Sequence, residues 1–291
     1  MASSLKRNSD RFGQMADAVK AIGSAYLWSR LTELLAGEVA FDQAAVFRYV
    51  EHLPPERVYD AQPGPERDRL HLTLLRAAYP ISPYINKVIW AGGADDFYHI
   101  NDVAPDEFTE TEYYRVYYSE KHVEDDGLFF TRIDQSLSIG LVIERQLPST
   151  PFSKVELAKL HKLAPLVSAL TRQHSQGLKT VSKVAKISSA NRISEQMTGA
   201  FMRFGSKVLT EREREIAGLI LRGHSSKAAA RELNIAPETE RVHRKRIYSK
   251  LGISSHADLF WMFIESFSYF DPDSTEDPLQ EYLRLRRARA S

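Results

Sequence analysis

Two groups of side chains in this chain of 291 residues have the types and spacing to do chemistry. The first is TERVHRKRIYSKLG, residues 239–252, with five Lys or Arg, one His and a single acid, Glu240. Arg and Lys at such spacing can reach guanine edges or phosphate oxygens, and an interleaved Val can meet a thymine methyl. The second group is aromatic: seven of the thirteen Tyr, with Trp90, lie between residues 79 and 118. Tyr offers an apolar face and a hydroxyl, which suits small-molecule recognition, and a carboxylate beside such rings favours a cation. Asp125 and Asp126, a few residues on, could supply one. An anionic ligand would instead recruit Arg115, Lys121 or His122.

Other chemistry is not expected. The chain has no Cys, hence no disulfide framework, thiol nucleophile or thiolate metal site. It shows no G-x-S-x-G elbow, H-E-x-x-H, P-loop or dinucleotide fingerprint, so neither an enzyme nor a cofactor is expected. His122 with Asp125 and Asp126 is a poor metal cluster, because adjacent acids point different ways on a regular element. No signal peptide opens the chain and no run of ~20 apolar residues follows, so the expected setting is the cytoplasm, without a membrane.

Charge divides the chain. Residues 1–170 hold 18 Lys/Arg against 24 Asp/Glu, residues 171–206 hold 6 against 1, and residues 207–268 hold 11 against 8. An acidic N-terminal body joined to a basic C-terminal part points to a polyanion partner for one end. In the N-terminal body, 44–50 and 137–146 read as strands. A long helix covers 152–174, opened by a capping box of Ser153 and Glu156. Strands flanked by helices predict an α+β sandwich over 1–175, then a linker over 176–206. On a helix over 110–120, Tyr113 and Tyr117 share one stripe and Tyr114 and Tyr118 the next.

The C-terminal part reads as four helices. Thr210 and Glu213 form a capping box for the first, and Gly223 ends it. Ser225 or Ser226 caps a short second helix, ended by Asn234 in the left-handed conformation. Pro237 suits the first turn of the third, which stops at Gly252. A fourth begins near Ser254 or Ser255. Two short helices joined by a tight turn, the second basic, form a helix-turn-helix. At ~100° per residue, His243, Arg244, Ile247 and Leu251 lie within about 60° of Glu240, on the inward side. Arg241, Val242, Lys245 and Ser249 fall opposite. Glu240 is therefore expected to be a structural ion-pair residue, served by Arg244 at i+4 or by Lys227 or Arg231. The run 259–267 closes the small domain's core or also forms a dimer interface. The tail covers 269–291, and its end LRLRRARAS, residues 283–291, is expected to be frayed.

The string LTERE-x-EI-x-x-L-x-x-x-G-x-SSK, followed by L-x-I-x-x-x-T-x-R-x-H-x-x-x-I-Y-x-KLGI, resembles the LuxR-type, GerE-like DNA-binding domain of bacterial transcription regulators. The resemblance implies an all-α four-helix domain over 207–268 whose third helix enters the major groove and whose fourth commonly pairs in a dimer. It places Arg241, Val242 and Lys245 on double-stranded DNA, and Thr239, Lys227 and Lys250 beside them. Two departures stand out: Glu240 where the family usually has an aliphatic residue, and Ala228-Ala229 where it usually has Glu-Ile.

The N-terminal body matches neither a phosphorylation receiver nor the acylated homoserine lactone receptors. It looks like a GAF- or PAS-like sensor, with Tyr84, Trp90, Tyr114, Tyr118 and Asp125 as candidate ligand-binding residues. The expected protein is a homodimeric regulator on a near-palindromic site, with an amine or aromatic metabolite as effector and RNA polymerase as a further partner. The alternative is a body that binds another protein and no small molecule.

Overall fold

Residues 2–50, 55–64, 81–119, 122–181, 203–268 and 276–290 are described by the computed structural model. Helices α1 (Ala2–Lys20) and α2 (Leu27–Glu38) lead into strands β1 (Gln43–Val50) and β2 (Glu56–Asp60). A π-helical turn, Ile85–Ile89, precedes β3 (Asp96–His99) and the single turn α3 (Ile100–Val103). After a 3-10 turn, Phe108–Glu110, comes α4 (Glu112–Tyr114), continued by a π-helical segment, Arg115–Ser119. Strands β4 (Val123–Arg132) and β5 (Leu137–Gln146) then lead to the long helix α5 (Lys154–Val181).

The five strands form one antiparallel sheet in the order β2-β1-β5-β4-β3. Period-two alternation sorts its side chains onto two faces. On one face Ala44, Val46, Phe129, Leu141 and Ile143 pack against Leu31 and Leu35 of α2 and Leu160 and Val167 of α5. Burying each of these larger side chains contributes roughly 1.5–3 kcal/mol. On the other face Phe47, Tyr49, Leu128, Phe130 and Val142 meet Tyr84, Val88, Tyr113 and Tyr118. The expected α+β sandwich is thus formed, with the tyrosines on the face that α5 leaves open.

Helix α5 opens as its sequence predicts. The Ser153 N–H donates to Glu156 Oε2 at 2.8 Å, and the Glu156 N–H donates to Ser153 Oγ at 3.3 Å. The same carboxylate holds Arg145 at 2.6 Å. The helix runs on through Val181, into the segment expected to be linker, whose residues 182–202 lie outside the described ones.

The C-terminal domain contains α6 (Glu211–Leu221), α7 (Ser226–Glu232), α8 (Pro237–Leu251) and α9 (His256–Ser268). Thr210 and Glu213 form the expected reciprocal cap, at 2.9 and 3.3 Å. Ser225 caps α7 by accepting from the Ala228 N–H at 3.1 Å. Asn234 and Gly252 both take positive φ, 51° and 64°, as the breaks after α7 and α8 require. Ile216, Ile220, Ile247, Leu259 and Phe263 form the core between these helices.

The end of the chain departs from the frayed state expected for 283–291. A further helix, α10 (Pro278–Ala290), packs on α9 with Leu279 fully buried. Asp277 fixes its start: its carboxylate accepts from the N–H groups of Leu279 at 3.0 Å, and of Gly205 and Lys207 at 2.8 Å each. An aspartate at the helix entry satisfies amides that a frayed end would leave to water. Among the described residues no helix is long and apolar enough to cross a membrane.

Candidate nucleic-acid interface and sensor site

Helix α8 presents two unlike faces. Ile247 and Leu251 are buried in the small core, and Glu240 beside them is completely buried. Its Oε1 accepts from Arg244 Nε at 3.0 Å, and Arg244 Nη2 donates on to the His224 carbonyl at 3.3 Å. Glu240 Oε2 has no hydrogen-bond partner among the described residues. The acid is therefore inside the domain, tying α8 to the turn between α6 and α7. Lys227 and Arg231, the other candidate partners, stay exposed.

The outward face carries Thr239, Arg241, Val242, Lys245, Arg246 and Ser249, all exposed. Arg241 lies 3.5 Å from Glu238, an exposed pair that contributes little. Val242 is 49% exposed, an aliphatic side chain on the solvent side of the helix. Arg246 belongs to this face although the sequence reading passed over it; at about 240° from Glu240 it lies next to Val242. Lys250 is differently committed. Its ammonium lies 2.6 Å from Glu213 Oε2, joining α8 to α6. Burial opposes the charge on Glu213, but the Lys250 ammonium and the Thr210 cap outweigh it and hold that carboxyl below its ordinary value.

On the tyrosine-bearing face of the sheet the acid among the rings is Asp126. It accepts from the Tyr84 hydroxyl at 2.8 Å and from the Tyr118 hydroxyl at 3.1 Å. Asp125, the expected residue, instead meets His99 Nε2 at 2.7 Å and the Phe152 N–H at 2.8 Å. Strand alternation is the reason: neighbours on β4 point to opposite faces, and only Asp126 shares the side of Leu128 and Phe130. Directly across the ladder from Asp126 is Glu144 on β5, itself 3% exposed, accepting from the Tyr117 hydroxyl at 3.1 Å. Burial first, and the Glu144 carboxylate second, push the Asp126 carboxyl up to about 7.

The rings stack as the helical spacing predicts. Tyr113 and Tyr117 are parallel at 5.7 Å, and Tyr114 and Tyr118 at 5.1 Å. Burial, reinforced by the nearby acids, holds the Tyr84, Tyr117 and Tyr118 hydroxyls well above their usual range, so they remain donors. Tyr84 and Tyr118 thus belong to the cluster, Tyr114 is half-buried at its edge, and Trp90 is exposed, 42%, at the end of the π-helical turn. Glu144 was missed because its strand reads as a buried apolar run. Only its register against Asp126 reveals it.

The stacked segment also touches the helical domain. Gly223, at φ +83°, turns its carbonyl to the Glu107 N–H at 3.3 Å. The Ser225 N–H donates to Asp106 Oδ1 at 3.2 Å and its hydroxyl to Oδ2. The His256 ring meets the Glu110 carbonyl at 2.8 Å, and the Arg115 guanidinium lies 5.6 Å from the Trp261 ring centre. A Cβ on Gly223 would come within 2.5 Å of Thr111 Cγ2. Residues 106–118 therefore face the acidic tyrosine cluster on one side and the helix-turn-helix on the other.

Comparison with known proteins agrees with this architecture. Residues 207–263 match the family of bacterial regulatory proteins of the luxR type. Over 158 residues, 53% of this chain and 80% of the relative, it is 31% identical to a protein named as an HTH-type transcriptional regulator in the exeN 3′ region of Aeromonas salmonicida. It is 26% identical over 153 residues, 52% of this chain and 56% of the relative, to the monoamine regulon transcriptional regulator of Klebsiella aerogenes. The crystal structure of the VqsR LBD domain from Pseudomonas aeruginosa superposes with a TM-score of 0.50 at 19% identity, covering 57% of this chain and 96% of that one. That likeness is one of fold, over the N-terminal body. A helix-turn-helix domain of matching sequence and a relative matched over most of its length lead to one assignment: the chain belongs to the LuxR family of bacterial regulatory proteins, a family of transcription regulators.

Proposed function

We propose that this regulator binds double-stranded DNA as a homodimer in the cytoplasm, and that a small molecule in its GAF-like N-terminal body controls it. The observation that carries the DNA reading is the face of Arg241, Val242, Lys245 and Arg246, all exposed on a helix whose other side is fixed in the core by Glu240. Fixed positioning of cations and one apolar contact is what base-edge readout requires. Thr239 and Lys227, also exposed, add phosphate contacts, and Lys250 contributes through what its bond to Glu213 leaves free. Domain limits of 1–175 and 207–268, joined over 176–206, suit this division of work. A near-palindromic site follows from twofold symmetry, and RNA polymerase would be met on surfaces other than α8.

The effector we propose is a compact amine. Asp126 and Glu144 face each other across the ladder among tyrosine rings, so a protonated amine would take a place between acids otherwise in mutual repulsion. Tyr84, Tyr114 and Tyr118 supply hydroxyls and ring faces. The name of the Klebsiella aerogenes relative, a monoamine regulon regulator, is in keeping with that choice. A thermal-shift series on the full chain with aromatic and aliphatic monoamines tests it. A saturable rise, lost in Tyr118→Ala and strengthening as pH rises through about 7, where Asp126 gives up its proton, is the expected outcome. No shift with any amine, on a folded chain, would favour a protein-interaction module instead.

A further inference from the structure

A second polar site sits where the two halves meet. A cavity of about 150 Å³ is lined by Asn86, Lys87 and Pro105 from the N-terminal body and by Arg222, His224 and Glu232 from the helix-turn-helix. Its cations form no ion pair among the described residues, although the Glu232 charge acts on Arg222 and His224. The Arg222 guanidinium makes no hydrogen bond or ion pair among the described residues, and its Nε is buried without a partner. Burial presses Arg222 below its ordinary value, and burial together with the Lys87 charge does the same to His224. Lys87 likewise has no acidic partner within ion-pair distance among the described residues. Asp106, whose charge also acts on His224, is already bonded to Ser225.

The Arg222 guanidinium is part-buried, with Nε shut off from water and without a hydrogen bond, and only the Glu232 charge offsets that cost. Folded proteins meet that cost with a partner, and this cavity has room for one. Glu232 is the single carboxylate in the lining, set against Lys87 and Arg222, so the field inside remains positive.

We propose that this interdomain cavity binds a small oxyanion, a phosphate or a short carboxylate, held by Arg222 and His224 from one domain and Lys87 from the other. The planar guanidinium matches two oxygens of such an anion, and the ammonium adds a point charge across the cleft. Because both domains contribute, the anion binds only the docked arrangement and stabilises it by mass action. It therefore fastens the sensor body to the helix-turn-helix, and a change in its concentration shifts how readily the two separate. This site is independent of the tyrosine cluster and of the outward face of α8.

The test is a thermal-shift and calorimetric titration of the full chain with inorganic phosphate and with succinate, at ionic strength matched by sodium chloride. The expected result is a saturable rise in Tm with at least one anion, absent with chloride. The rise should fall at least tenfold in apparent affinity in Lys87→Gln and in Arg222→Gln. A response to phosphate alone assigns a phosphorylated effector, and one to succinate alone assigns a carboxylate. Lys87 is exposed, so its variant keeps the fold even where Arg222→Gln alters it. The response must survive in Lys245→Ala, which removes a cation from the DNA face but none from the cavity. No rise with either anion, a rise unchanged in Lys87→Gln, or one lost in Lys245→Ala would each overturn the proposal.

Discussion

Single side chains decide two of this protein's properties, and Glu240 is the first. A carboxylate with no exposure, bonded at 3.0 Å to an Arg244 that also reaches the α6–α7 turn, holds α8 in place and has no access to DNA. Glu240→Ala should destabilise the C-terminal domain by about 3–5 kcal/mol, the cost of breaking a buried pair from one side. Denaturant unfolding measures that loss, and base preference on DNA should not change. Relaxed preference with unaltered stability would make Glu240 a reader instead. The second is Asp126. Its carboxyl is raised to about 7, so the folded state holds a proton that the unfolded chain releases at ordinary carboxylate pH. Stability contributed by that proton is complete below the unfolded value and declines as pH rises toward about 7, by up to about 1.4 kcal/mol per pH unit. Melting temperatures from pH 5 to 8 should therefore fall in the wild type and fall less steeply in Asp126→Asn. Equal slopes would place the titration elsewhere.

At the scale of elements, α8 owes its use to what its neighbours hold. Lys250 joins it to α6 and Glu240 to the turn before α7, which leaves Arg241, Val242, Lys245 and Arg246 to the solvent. Lys245→Ala should weaken DNA binding across all sequences and reduce the slope of log affinity against log salt by about 1. Helix caps, the stop residues and both faces of α8 were legible in the sequence, because each rests on local spacing: Thr210 to Glu213, Glu240 to Arg244, Tyr114 to Tyr118. What escaped was register. Whether Asp125 or Asp126 meets the tyrosines depends on strand pairing fixed by residues far along the chain, and Glu144 enters only through that pairing. The tail was misread for a related reason, since Asp277 caps α10 while bonding Gly205 and Lys207, contacts that no local pattern records.

The whole molecule joins its two halves through residues 106–115, a connection that composition and charge runs could not announce. Gly223 shows how close that contact is: read from sequence as a helix stop, it also sits where any Cβ would strike Thr111. Gly223→Ala adds left-handed strain to that clash, so it should loosen the docking and cost about 1–3 kcal/mol. Solution scattering should then show a larger radius of gyration, and a radius equal to wild type would mean the halves are held by other contacts. Such docking gives a change in the tyrosine cluster a short path to the helix-turn-helix, provided the effector favours one arrangement energetically. On the reading proposed above, α8 reads DNA through its outward face. Fluorescence anisotropy of the full chain on a duplex selected from random sequences, comparing wild type with Arg241→Ala, tests it most directly. A loss of tenfold or more with relaxed preference at one base position is the predicted result, about 1–3 kcal/mol for a lost base contact. Unchanged affinity and preference would mean that Arg241, and with it this face of α8, does not read the DNA.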